Sequence, residues 1–333
     1  MDSLTQIVLG AAVGEVVLGK HIGNKAMLYG AIAGTIPDLD VFTSHFTNTA
    51  TALSIHRGIT HSLLFALIFG PLCGIIVSHF ENYKDIGKWS LLFFLGFLTH
   101  ALLDIHTTWG TQFFWPLPYK IALQTIFVID PLYTLPFLIC LLLAMFQNRT
   151  SKKRRFYTTL GLSLSSAYLI LTYGLKWLAF QQFEQALQIQ NITYLKLDTR
   201  PAPLNTILWN ANVETEDAYL LGQYSFFDTQ PITFNRFPKN HHLIKAYLND
   251  KSVQNMINIT NGWYTITKEN GSLYFNDLRF GLYDMSENST NFVFKYLMVP
   301  NTTNNEVEFI EAPKTPVNGQ ELLTELWLRV KGN

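Results

Sequence analysis

Three short stretches of this chain set ionisable side chains against apolar runs. They are TIPDLD, with Asp38 and Asp40; HRGITHS, with His56, Arg57 and His61; and FLTHALLDIHTTWG, with His100, Asp104 and His106. Such groups inside or beside membrane helices are costly, and the default reading is functional. His100 and Asp104 are four residues apart, so on a helix they share one face, about one turn apart. His56 and His61 flank Gly58, a break that lets both approach one site. Pro37 ends a helix and leaves Asp38 and Asp40 on a short turn, free to converge. Imidazole with carboxylate is a donor set for zinc, and also for manganese or iron. The candidate ligands are therefore Asp38, Asp40, His56, His61, His100 and Asp104. Six exceed what one tetrahedral zinc takes, so a site with two or more ions and bridging carboxylates is expected.

Taken singly, each residue has a structural reading: a histidine bonding a neighbouring helix, Asp40 capping a segment, Asp104 pairing with Arg57. Taken together at one depth, they point to a metal site. A metal that acidifies water supports hydrolysis, with Asp38 or Asp40 as general base. The Arg57 guanidinium matches phosphate or carboxylate oxygens, which favours a phosphoester of a lipid or envelope precursor. The alternative is a non-enzymatic membrane protein whose polar cluster is structural and whose soluble domain binds an envelope partner. A transporter ranks third, because only Glu15 and His79 offer polar steps toward the other face. Gln6 and His106 are candidates for supporting roles, and Asp130 reads as a helix N-cap. Glu15, in the first apolar run, needs a proton or a partner.

The elements that must position these groups are apolar. Of 333 residues only 14% are charged, and the formal net charge is zero, so nothing argues for a nucleic-acid partner. Four segments are candidate membrane helices: Ser62–Ser78, Trp89–Leu103, Pro131–Phe146 and Phe156–Phe180. Before them, Leu4–Leu18 and Ala26–Ile36 carry Gly10, Gly14, Gly30 and Gly34, spaced for a tight short helical hairpin. The cluster Arg149–Arg155 (RTSKKRR) should be cytoplasmic by the positive-inside rule. Counting spans from it puts all three polar stretches at the outer face. It also makes everything after about Gln181 extracytoplasmic. Cys73 and Cys140 lie in apolar runs and read as free thiols.

The remainder is polar and Asn-rich. Ala218–Asp228 and Gly271–Tyr283 read as strands, with ENG at a hairpin turn, and GQELLTELWLRVKG reads as a final helix. The expected fold is an α-helical membrane domain over 1–180, with about four full spans plus the N-terminal hairpin, followed by an α+β soluble domain over 181–333.

MDSLTQIVLGAAVGE, GTIPDLD, HRGITHSLLFA, LTHALLDIHTTWGTQ and TIFVIDPLYTLP occur in that order. In these motifs the chain resembles the bacterial YdjM-type family of inner-membrane proteins, described as membrane-bound metal-dependent hydrolases. The resemblance covers about residues 1–150. That family is considered distantly similar to zinc-dependent phospholipase C and P1 nuclease, helical enzymes with several zinc ions. The resemblance implies a multi-pass protein of the bacterial inner membrane with a zinc site at Asp38, Asp40, His56, His61, His100 and Asp104. Two features depart from it. Gln6 stands where many members carry a histidine, and the zinc enzymes' amino-terminal ligand has no clear counterpart.

Overall fold

The computed structural model describes residues 1–283, 289–300, 306–313 and 318–333. Its helices are α1 (Ser3–Ile22), α2 (Asn24–Thr35), α3 (Thr49–Ile55), α4 (Leu63–Phe80), α5 (Ile86–Ile105), α6 (Pro131–Met145), α7 (Lys152–Ile189), α8 (Lys251–Ile259) and α9 (Gly319–Val330). The chain groups into two compact units. One comprises Met1–Val41, His56–Gly174 and Pro203–Asn205; the other comprises Phe42–Ile55, Leu175–Ala202 and Thr206–Asn333.

The first unit is helical, and its sequence starts the helices where acceptors stand ready. Asp2 accepts from the Thr5 amide, Ser62 from Phe65, Asp85 from Lys88, and Asp130 from Leu132 and Tyr133. Pro37 stops α2, and the chain continues as a tighter 3-10 segment, Ile36–His45, carrying Asp38 and Asp40. Two cores form. Val8, Ala11, Ala12, Leu103, Tyr133 and Phe137 meet in one, and Leu18, Ala33, Trp89, Phe93 and Phe97 in the other. Cys140 is buried, Cys73 is half-buried, and both are free thiols.

The glycines set how closely α1 and α2 approach. A Cβ at Gly10, Gly14, Gly30 or Gly34 would come closer than 3.0 Å to backbone atoms of the facing helix. Neither backbone can yield without unpacking the pair. Gly30→Ala is therefore expected to destabilise the protein by about 1–3 kcal/mol, the usual cost of overpacking. A thermal melt in detergent reads this, and an unchanged midpoint would show the hairpin to be loosely packed.

The helices match the expected spans in part. Among the described residues, Ser3–Ile22, Leu63–Phe80 and Ile86–Ile105 are long and apolar enough to cross a membrane. The first has 20 residues and is not the short arm expected of it. Pro131–Met145 has only 15 residues. Phe156–Phe180 lies inside the 38-residue α7, where serines, threonines and Lys176 dilute the apolar run below a span of that quality. Along α4, only 22% of the apolar window is buried, leaving Leu67, Ile68, Leu72 and Ile75 facing outward.

The second unit carries two four-stranded antiparallel sheets, ordered as in the chain. They are β1 (Lys196–Pro201), β2 (Leu208–Glu214), β3 (Ala218–Ser225) and β4 (Phe234–Pro238), then β5 (Tyr264–Glu269), β6 (Ser272–Leu282), β7 (Phe292–Pro300) and β8 (Val307–Glu311). The expected strands and final helix are present as β3, β6 and α9. The ENG turn joins β5 to β6 with Glu269 opposite Ser272. Asn270 and Gly271 both take positive φ, the conformation a two-residue hairpin turn needs. Tyr219, Leu221, Trp263, Leu278 and Phe292 form one core here, and Phe183 packs with Trp209 and Ala211 in another.

Candidate metal centre

One end of the helical unit gathers the acids and imidazoles. His100 and Asp104 project from the last turns of α5, fully buried. His61 ends a short 3-10 turn just before α4, also fully buried. Asp38 comes from the 3-10 segment after α2 and is the most open of the four, with 23% of its side chain exposed. One donor atom from each lies within 4.8 Å of every other.

The spacing can be compared with what a metal requires. Four donors about 2.0–2.1 Å from one tetrahedral ion must lie about 3.3 Å from one another. His61 Nε2 is 3.1 Å from His100 Nε2, 3.3 Å from Asp38 Oδ1 and 3.4 Å from Asp104 Oδ2. His100 Nε2 is 3.4 Å from Asp38 Oδ1 and 3.7 Å from Asp104 Oδ2. These distances are five of the six edges of a tetrahedron of the right size. The far edges of the imidazoles are held too. His100 Nδ1 donates to the Gly34 carbonyl at 2.7 Å, and His61 Nδ1 is 3.0 Å from the Thr60 hydroxyl and 3.4 Å from Asp40 Oδ2. A neutral histidine bonded through Nδ1–H presents its Nε2 lone pair, the tautomer that ligation uses; an ion entering the cluster would displace the proton that the carboxylates hold on His61. The residues present therefore fit a single divalent ion.

Asp40 and His56 stand outside that group of four. Asp40 Oδ1 accepts from His56 Nδ1 at 2.8 Å, and Oδ2 accepts from the Arg57 amide at 2.8 Å and the Thr60 hydroxyl at 3.0 Å. Burial alone would raise the carboxyls of Asp38 and Asp40. The imidazoles of His100 and His61 beside Asp38, and of His56 and His61 beside Asp40, hold both below the ordinary carboxylate range. Burial likewise opposes charge on His61, but its bonds to Asp104, Asp38 and Asp40 outweigh it and its pKa is pushed up to about 9.

Arg57 is buried and faces Asp104. Its Nε is 3.1 Å from Asp104 Oδ2, a charge contact too poorly aligned for a hydrogen bond, and its Nη1 donates to Thr107 Oγ1 at 2.8 Å. Gly58 makes the expected bend, with φ −89° and ψ −118°, and Arg57 just before it is left-handed, with φ 57°. That conformation is strained for a side chain of this size, and the Asp40 bond to its amide and the Gln112 bond to its carbonyl hold it. On the other side, Gln6 donates to Asp104 Oδ1 at 3.0 Å, and the Met1 amine pairs with the same oxygen. His106 turns away, bonding the Leu102 carbonyl and packing on Tyr173. Asp130 caps α6 and accepts from the Tyr168 hydroxyl at 2.9 Å. Sequence reasoning missed Thr60, Thr107 and the Gly34 carbonyl. The two threonines adjoin the motifs that were noticed, whereas a backbone acceptor on another helix leaves no sequence signal.

At the opposite end Glu15 has its partner. Arg154 meets it in a two-pronged ion pair, Nε to Oε1 at 2.6 Å and Nη2 to Oε2 at 2.5 Å.

Fold and site together define a helical protein of membrane type, with outward-facing apolar helices and a buried His/Asp cluster at one end. The chain belongs to the YdjM inner membrane protein family, whose profile matches residues 1–182. It is 31% identical over 117 residues to inner membrane protein YbcI of Escherichia coli (strain K12), covering 35% of this chain and 67% of that one. It is 30% identical over 139 residues to the uncharacterized protein YfhP of Bacillus subtilis (strain 168), covering 39% of this chain and 42% of that relative's length. No solved structure matches the chain.

Proposed function

We propose that this protein is a membrane-embedded, metal-dependent hydrolase of the bacterial inner membrane. Its substrate is a phosphoester of a lipid or envelope precursor. The near-tetrahedral set of Asp38, His61, His100 and Asp104 carries the reading. Zinc matches two imidazoles and two carboxylates best. Such an ion supplies Lewis acidity and acidifies water. Asp38, the donor nearest solvent, marks the side from which substrate enters. Arg57 adds fixed positive charge beside Asp104 for an anionic oxygen. In this reading α1, α4 and α5 span the bilayer, assisted by α2, α6 and α7. Lys25, Lys88, Arg149 and Arg154 lie toward the end opposite the cluster, and by the positive-inside rule this supports an outer-face cluster with the residues after α7 outside.

The test is metal analysis of the purified protein joined to a lipid-phosphoesterase screen. About one transition-metal ion per chain and a hydrolysis that chelation removes are expected. A metal-free protein, or one inert toward every phosphoester, overturns the reading.

A second reading is favoured by Arg57, which already faces Asp104 and bonds Thr107. In it the cluster is structural, and the polar unit binds an envelope partner. Replacing His61 would then lower stability and abolish no activity.

A further inference from the structure

His56 differs from the two histidines that point into the cluster. His61 and His100 have no exposed side-chain surface, whereas 30% of the His56 side chain is open to solvent. Its Nδ1 is committed to Asp40, and among the described residues its Nε2 has no hydrogen-bond partner. The carboxylate that orients it is well anchored, since Asp40 also accepts from the Arg57 amide and the Thr60 hydroxyl. The backbone is pinned as well, because the His56 carbonyl accepts from Lys120 Nζ at 2.6 Å. The ring leans on Trp109, centroids 5.7 Å apart, and stands 6.3 Å from the ring of His61. An imidazole fixed by a carboxylate at Nδ1, with Nε2 open beside a metal-type cluster, has the geometry of a proton-transfer group.

We infer that His56 is a catalytic base oriented by Asp40, and not a metal ligand; the inference rests on the hydrolase reading above. As the water oxygen bonds to phosphorus, its proton passes to His56 Nε2, and Asp40 steadies the resulting imidazolium through Nδ1–H. The bond from phosphorus to the leaving oxygen breaks with its electron pair on that oxygen. The proton held on Nε2 then neutralises it, so water and ester become alcohol and phosphate with nothing left over. Asp40 has both oxygens engaged, so the base is the imidazole rather than the carboxylate.

The experiment uses the full chain in detergent, loaded with zinc, with bis(4-nitrophenyl) phosphate as substrate. His56→Ala and His56→Gln should both remain folded and retain the wild-type zinc content. Their kcat should fall about 10²–10⁴-fold with KM little changed. Added imidazole should restore part of the rate to His56→Ala and none to His56→Gln, which fills the site. Loss of zinc from either variant would make His56 a ligand and overturn the inference, as would an unchanged kcat. A wild-type protein that hydrolyses nothing overturns the hydrolase reading and this role together. An active wild type with indifferent variants overturns this role alone.

Discussion

Asp104→Asn is expected to lose its metal and to unfold more easily than the wild type by about 3–5 kcal/mol. Asp104 is fully buried, and each of its oxygens faces positive or donating groups. Oδ1 takes the Gln6 amide and the Met1 amine, while Oδ2 faces Arg57 and His61. The amide is nearly the same size, so no cavity opens. Its NH2 group, however, must point at one of these sets of donors, and no rotation satisfies both. Arg57, only 5% exposed, is left without the anion it faces, and a buried charge stripped of its partner carries that cost. The cluster also loses one of its two carboxylate donors, and an amide nitrogen is no substitute. Metal content should fall to background by mass spectrometry, and the stability loss should persist when both proteins are compared after chelation. That second arm separates the Arg57 contact from metal binding. Full metal content with an unchanged unfolding curve would remove Asp104 from the site.

The second large effect lies at the other end of the bundle. Glu15→Gln or Arg154→Met alone should cost about 3–5 kcal/mol, because either leaves a buried charge whose partner has gone. Glu15 is 9% exposed and Arg154 is 2% exposed. The double variant should recover part of the loss, giving a coupling of up to about 3 kcal/mol in the double-mutant cycle. Recovery stops short of complete because Arg154 Nη1 also donates to Asn24 at 2.8 Å and to the Gln147 carbonyl at 3.1 Å, and those acceptors stay unpaired. Reversible unfolding in mixed micelles measures all four proteins. Strictly additive costs would mean that the two residues act independently.

Much of this molecule is legible because the signals are local. Capping by Asp2, Ser62, Asp85 and Asp130 depends on a side chain and an amide two or three residues on. The Asn270–Gly271 turn is set by two residues that tolerate positive φ. The i, i+4 spacing of His100 and Asp104 survives intact in α5. Span lengths were less legible. Composition marks α1, α6 and α7 as apolar, but helix ends are decided by caps and packing, so α1 and α7 run beyond their apolar cores while α6 ends within one residue of its own.

Alone, the sequence determined which residues could do chemistry and at which end of which helix they fall, because polarity, periodicity and caps are properties of neighbours along the chain. Tertiary structure decided how the six candidates divide: four donors in a tetrahedral set, with Asp40 and His56 as a separate pair. That division depends on ångström-scale approach. Gly34 bares the carbonyl that turns His100, and Gly10, Gly14 and Gly30 bring α1 and α2 together. Arg57 takes the left-handed turn with its amide held by Asp40, next to the bend that Gly58 makes. Contacts between residues far apart in the chain, such as Glu15 with Arg154, carry no mark in either stretch read alone, since each partner is defined only once the helices have packed.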